Sequence, residues 1–198
     1  IAGICKDDYV VDVCSAPGGK ALHACDKLCG TGCVDARDVS EYKTGLILEN
    51  KERIHADNLN VKVWDARIKD EEAEGKADVV LLDIPCSGLG VIGRKPDIKY
   101  RLDETSFTEL DDLQKEITDA VVGYVKKGGT LIYSTCTLRK EENEQMVSYI
   151  TENYGFTTES LNPYLPEALR NTDTEKGYLT LLPTDKSDGF FMARLIKN

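Results

Sequence analysis

Along the chain, short apolar runs of strand length alternate with longer stretches whose apolar residues recur at helical spacing. Tyr9 to Val13 reads as a strand, Lys20 to Leu28 as a short helix and Cys33 to Ala36 as a second strand. A helix is predicted from about Val39 to Ile54, then a third strand over Val61 to Trp64. Asp78 to Asp83 is apolar without alternation, the pattern of a strand buried on both faces. Phe107, Leu110, Leu113, Ile117, Ala120, Val121 and Tyr124 share one helix face, and Gly128-Gly129 ends that helix. Thr130 to Ser134 is a fifth strand, Glu141 to Tyr154 another helix and Phe190 to Ile196 a last strand. Residues 162–188 contain three prolines and read as a long loop with one short strand near Tyr178 to Leu182.

Strands alternating with helices imply right-handed βαβ units and a mostly parallel sheet in an α/β, Rossmann-like domain. In such a fold ligands sit beyond the carboxyl ends of the strands, which makes the residues there the candidates for chemistry. After the first strand comes Cys14-Ser15-Ala16-Pro17-Gly18-Gly19-Lys20, whose glycines let the backbone approach a ligand. It is no phosphate loop, because Cys14 holds the first glycine position and Ala21 follows the lysine. The dinucleotide fingerprint is also missing, so a nucleotide-like cofactor without a pyrophosphate fits better.

Asp35 ends the second predicted strand, where an acid can accept from ribose hydroxyls, and Asp65 follows the third. Either aspartate alone is equally a cap or turn residue, with Asp38 available as the helix cap instead. The fourth strand runs into Asp83-Ile-Pro-Cys86 and the fifth into Ser134-Thr-Cys136, so two thiols and a carboxylate are expected at neighbouring strand ends. Spacing alone leaves open which thiol is the nucleophile.

The chain has 198 residues, one domain's worth, and no apolar run of membrane-spanning length. No signal peptide is visible, and seven cysteines, an odd number, argue for free thiols in a reducing, cytoplasmic setting. Cys25, Cys29 and Cys33 recur every fourth residue, but Gly30 and Gly32 break the helix between them and no metal site is expected. The net charge of −10 is awkward for a nucleic-acid enzyme. Arg94, Lys95, Lys99 and Arg101 after the first thiol turn, with Arg139 and Lys140 after the second, offer local phosphate contacts.

With DVCSAPGGK, VDARD, WDA, LLDIPCSGLGVIGRKPDIKY, YSTCTLRKEENEQMV and DGFFMARLIK, the sequence resembles the NOL1/NOP2/Sun family of RNA 5-methylcytosine methyltransferases over nearly its whole length. The resemblance implies an S-adenosylmethionine-dependent methyltransferase fold, a mostly parallel seven-stranded sheet with helices on both faces. It implies an enzyme acting on cytosine C5 in RNA, expected to be 16S ribosomal RNA, with no membrane partner. Residue by residue, it puts the Cys14 to Lys20 loop on S-adenosylmethionine, Asp35 on its ribose and Asp65 near its adenine. Asp83 then lies between cofactor and base at the cytosine N3 edge, Cys136 is the nucleophile, and Cys86 assists breakdown of the covalent intermediate. Lys20 is expected to favour the Cys136 thiolate. Ala21 and Leu22 depart from the Thr-Thr common after the family's lysine. Family members carry RNA-binding sequence ahead of the cofactor loop, and here 11 residues precede Asp12, so a single catalytic domain over 1–198 without that region is expected. A non-catalytic ribosome-assembly factor and a DNA cytosine methyltransferase are the alternatives.

Overall fold

A computed structural model describes all 198 residues. Five parallel strands form the body of one sheet: β1 (Tyr9–Asp12), β2 (Cys33–Asp38), β3 (Leu59–Val63), β4 (Ala77–Asp83) and β5 (Val125–Thr135). β6 (Phe156–Thr158), β7 (Tyr178–Leu181) and β8 (Phe190–Lys197) complete it. Seven strands lie in the order β3-β2-β1-β4-β5-β8-β6, with β8 antiparallel to both neighbours, and β7 is an eighth that pairs with β8. The strand order reverses direction between β1 and β4, so the crevice of such a sheet opens above β1 and β4.

β4 holds the centre because its sequence allows nothing else. Val79, Val80, Leu81 and Leu82 are all buried, and burying each contributes roughly 1.5–3 kcal/mol. Helices α1 (Gly19–Lys27) and α2 (Glu41–Ile54) cover one face through Leu22, Leu28 and Ile47. α4 (Glu104–Val121) and α5 (Glu144–Asn153) cover the other through Ile117, Val121, Met146 and Ile150. Two short helices, α3 (Ile98–Arg101) and α6 (Thr172–Lys176), lie in the connections.

Several boundaries differ from the apolar pattern, each for a local reason. α2 starts at Glu41 rather than Val39 because the Ser40 side chain accepts from Lys43 N–H and caps it. α5 starts at Glu144 rather than Glu141, since Glu142 and Asn143 are drawn into buried hydrogen bonds ahead of it. β5 starts at Val125, before the glycines that the sequence reading took as the break. β2 runs on to Asp38 because its pairing with β3 continues to Asp38 opposite Val63. The long connection contains α6, capped by Asn171, as well as the expected strand at Tyr178.

Candidate active site

A cavity of about 640 Å³ lies over the carboxyl ends of the five parallel strands. Each strand sends a residue into it: Cys14 from β1, Asp38 from β2, Asp65 from β3, Asp83 from β4 and Cys136 from β5, with Cys86 beside the last. The loop after β1 is folded by its own backbone. Ser15 N–H donates to the Arg37 carbonyl at 2.9 Å, Gly18 N–H to the Ser15 carbonyl at 2.7 Å, and Ala16 N–H to the Asp38 carboxylate at 2.9 Å. Gly18 takes φ 100° against Ile47, where a side chain is strained whatever the space. Cys14, Ala16 and Lys20 face the cavity, while Ser15, Pro17, Gly18 and Gly19 shape the loop without lining it.

Three carboxylates at the rim are each oriented by a cation: Lys43 on Asp38 at 3.1 Å, Arg67 on Asp65 at 2.6 Å, and Lys20 on Asp83. The hydrogen bonds from Arg67 hold Asp65 below the usual carboxylate range. Asp83 also accepts from Ser134 Oγ at 2.9 Å. Asp35, expected on the ribose, is not in this cavity. It is buried and accepts from Tyr9 Oη, Asn60 Nδ2 and Lys62 Nζ at 2.9, 3.1 and 2.9 Å. Burial pushes Asp35 up, but those hydrogen bonds outweigh it and keep the group ionised below its ordinary range. The longer β2 puts Asp38 at the strand end instead. Asp12, which the motif reading passed over, is fully buried below the loop with both carboxylate oxygens unpartnered.

The Cys86 and Cys136 sulfurs are 3.2 Å apart, and Cys136 N–H points to Cys86 Sγ at 3.3 Å. The hydrogen bond from Cys86 lowers Cys136 to about 7, with Lys95 adding to the effect, while Cys86 is raised by the same contact. Lys20 is engaged by Asp83, and the positive charge of Lys95 favours the Cys136 thiolate. The two thiol turns are cross-braced. Ser87 Oγ and Thr137 Oγ1 are 2.7 Å apart, and Gly90 N–H donates to the Cys136 carbonyl at 2.9 Å. Fully buried Glu142 accepts from Ser87 N–H at 2.8 Å and from Gln114 Nε2 at 3.0 Å. Arg139, expected on phosphate, is spent internally in a fork to Asp111 at 2.5 and 2.9 Å. In sequence, Glu142 looks like one more charge in a polar run, and nothing local marks it as buried.

Cys25 is buried in the α1 face of the core, Cys29 is exposed and Cys33 lies between, and no three His, Cys, Asp or Glu side chains form a metal-ligating cluster.

The family model described as 16S rRNA methyltransferase RsmB/F matches residues 4–196. The chain belongs to that family. A "Probable ribosomal RNA small subunit methyltransferase B" of Bacillus subtilis is 38% identical over 97% of this chain, and a "Ribosomal RNA small subunit methyltransferase B" of Pectobacterium atrosepticum is 40% identical over 96%. This RsmB/F family chain spans only 44% and 42% of those two relatives. A crystal structure of NSun6 from Pyrococcus horikoshii with SFG superposes with a TM-score of 0.80 at 30% identity, covering 96% of this chain and 48% of that one. An S-adenosylmethionine-dependent O-methyltransferase from Thermotoga maritima, 13% identical, covers 99% of this chain and 61% of its own with a TM-score of 0.61. The domain therefore has the Rossmann-like fold of S-adenosylmethionine-dependent methyltransferases.

Proposed function

We propose that this domain methylates C5 of a cytosine in RNA, with S-adenosylmethionine as donor and Cys136 as nucleophile. The names of the family and its relatives point to 16S ribosomal RNA as the substrate. The observation that carries the reading is the thiol pair, 3.2 Å between sulfurs, on the same cavity as Asp83 and the β1 loop.

The cavity suits the cofactor in its donor set. Asp38 and Asp65 are fixed carboxylates at the ends of β2 and β3, able to accept from ribose hydroxyls and an adenine amino group, and Cys14, Ala16 and Lys20 of the loop after β1 line the cavity beside them. Held there, S-adenosylmethionine supplies an electrophilic methyl group.

The chain's own residues have to make cytosine C5 a nucleophile. A free cysteine is only a few per cent thiolate at neutral pH, whereas the hydrogen bond from Cys86 shifts Cys136 toward its thiolate. Its sulfur adds at C6, the S–C6 bond forms, and the ring's double-bond electrons shift to make C5 enamine-like. Charge accumulates along the N3 and O2 edge. The Lys20–Asp83 pair presents an ammonium donor and a carboxylate acceptor to that edge, matching N3 or O2 and the N4 amino group. Once C5 carries the methyl group, a base takes the C5 proton, the C–H electron pair re-forms the C5=C6 double bond, and the C6–S bond breaks to release Cys136 as thiolate. Cys86, the hydrogen-bond partner of Cys136, then stabilises the departing thiolate. The base reaches the cavity only by leaving its stack, which favours a loop or open segment of RNA.

Incubation with labelled S-adenosylmethionine and 16S ribosomal RNA, transfer RNA or DNA tests the reading. Cys136→Ala is expected to abolish transfer with cofactor affinity within a few-fold; normal turnover would remove Cys136 from the mechanism. Cys86→Ala is expected to accumulate a covalent protein–RNA adduct on denaturing gels, and its absence would leave Cys86 without this role.

A further inference from the structure

The thiol pair is a wall shared by two cavities. Behind it, away from the β1 loop, a second cavity of about 300 Å³ is also lined by Cys86 and Cys136. Val91, Ile98 and Leu102 form its apolar side, and Lys95 and Arg101 stand at it. Cations in this region are mostly engaged: Arg94 with Asp188, Arg101 with Asp97, Arg139 with Asp111. Lys95 is exposed and has no carboxylate partner. Beyond it, Lys99 lies over the ring of Tyr100, which is 80% exposed.

The chemistry of the proposed reaction gives this second cavity an occupant. The carbon attacked by Cys136 is C6, and C6 is bonded to N1, which carries the ribose. A base whose C5 faces the first cavity must therefore keep its sugar and phosphate next to the Cys136 sulfur. In the first cavity Lys43, Arg67 and Lys20 are each taken up by Asp38, Asp65 and Asp83, whereas the second offers an ammonium without a carboxylate partner and an apolar wall for a sugar ring. Resting on the methyltransferase reading above, we propose that the cavity behind the thiols is the subsite for the ribose-phosphate of the target nucleotide, with Lys95 on its phosphate. Lys95 then has a double consequence: the same charge that receives the phosphate favours the thiolate that attacks the base.

The test uses the intact 198-residue chain, with a 16S ribosomal RNA transcript as probe, and compares wild type with Lys95→Gln, Lys95→Arg and Lys127→Gln. Lys127 is exposed at the amino end of β5, remote from both cavities. RNA affinity is measured across a salt series and methyl transfer as KM and kcat. Lys95→Gln is expected to flatten the slope of log affinity against log salt by about 0.7, the loss of one phosphate contact on a single strand. KM for RNA should rise several-fold, S-adenosylmethionine affinity should stay unchanged, and Lys95→Arg should restore the slope. An unchanged slope and KM in Lys95→Gln, an equal change in Lys127→Gln, or a fall in kcat alone would overturn the proposal. Salt-dependent binding without any methyl transfer by wild type would instead count against the methyltransferase reading and leave the binding comparison standing.

Discussion

Asp12 sits at the end of β1 with its carboxyl buried and neither oxygen hydrogen-bonded. Burial pushes it up to about 7 from the ordinary 3.8. The folded chain therefore holds a proton between about pH 4 and pH 7 that the unfolded chain has released, so this group's contribution to stability falls as pH rises through that window. Asp12→Asn is expected to remove that slope, read as thermal midpoints compared at about pH 5 and about pH 8. An identical pH dependence in the variant would show that another group holds the proton. At this scale the sequence revealed the thiols, Asp83 and the glycine loop, because each follows an apolar run whose end is visible. It put Asp35 at the end of β2, but the strand runs on to Asp38 because its pairing with β3 continues as far as Val63, a contact outside the local pattern. It missed the burial of Glu142 for the same kind of reason, since its partners Ser87 and Gln114 come from distant elements.

Among elements, the decisive junction is where the turn after β4 crosses the turn after β5. A Cβ on Gly90 would lie 2.6 Å from the Gly189 carbonyl oxygen and 2.8 Å from that of Cys136, both backbone atoms with little room to move. Gly90→Ala must displace its own turn against both the Gly189 segment ahead of β8 and the turn that carries Cys136. Misplacing a reacting group by about an ångström costs about 100-fold, so methyl transfer is expected to fall by about tenfold to 100-fold. Cofactor affinity is expected to hold, because the β1 loop is braced separately through Arg37 and Asp38. A parallel loss of cofactor affinity would show that the two halves of the cavity are not independent. The elements themselves were legible wherever periodicity was long, as in β4 and α4. β6, with three residues, and α6, with five, are too short to carry a period, and their positions depend on pairing with β8 and on the Asn171 cap.

For the whole molecule, the acidic charge of −10 and the basic turns are reconciled by position. Lys95 stands beside the thiols, while the neighbouring Arg94, Arg101 and Arg139 are paired with aspartates. The cavity proposed for the cofactor is lined from all five parallel strands, which ties ligand binding to global stability. S-adenosylmethionine at 100 times its Kd is expected to stabilise the fold by about 2.7 kcal/mol. At roughly 2–4 °C per kcal/mol for a chain of this size, the melting midpoint should rise about 5–10 °C. ATP at the same concentration should do much less, since no phosphate-binding loop is present; an equal shift would contradict the assignment of the cavity. No helix is long and apolar enough to cross a membrane.

Trp64 is the chain's single tryptophan, and it stands in the wall of that cavity with the Arg37 guanidinium 5.6 Å from its ring. Its emission therefore comes from one place only, the place a ligand must enter. The molecule carries a built-in optical gauge of occupancy, so binding can be titrated on the unlabelled chain and separated from turnover.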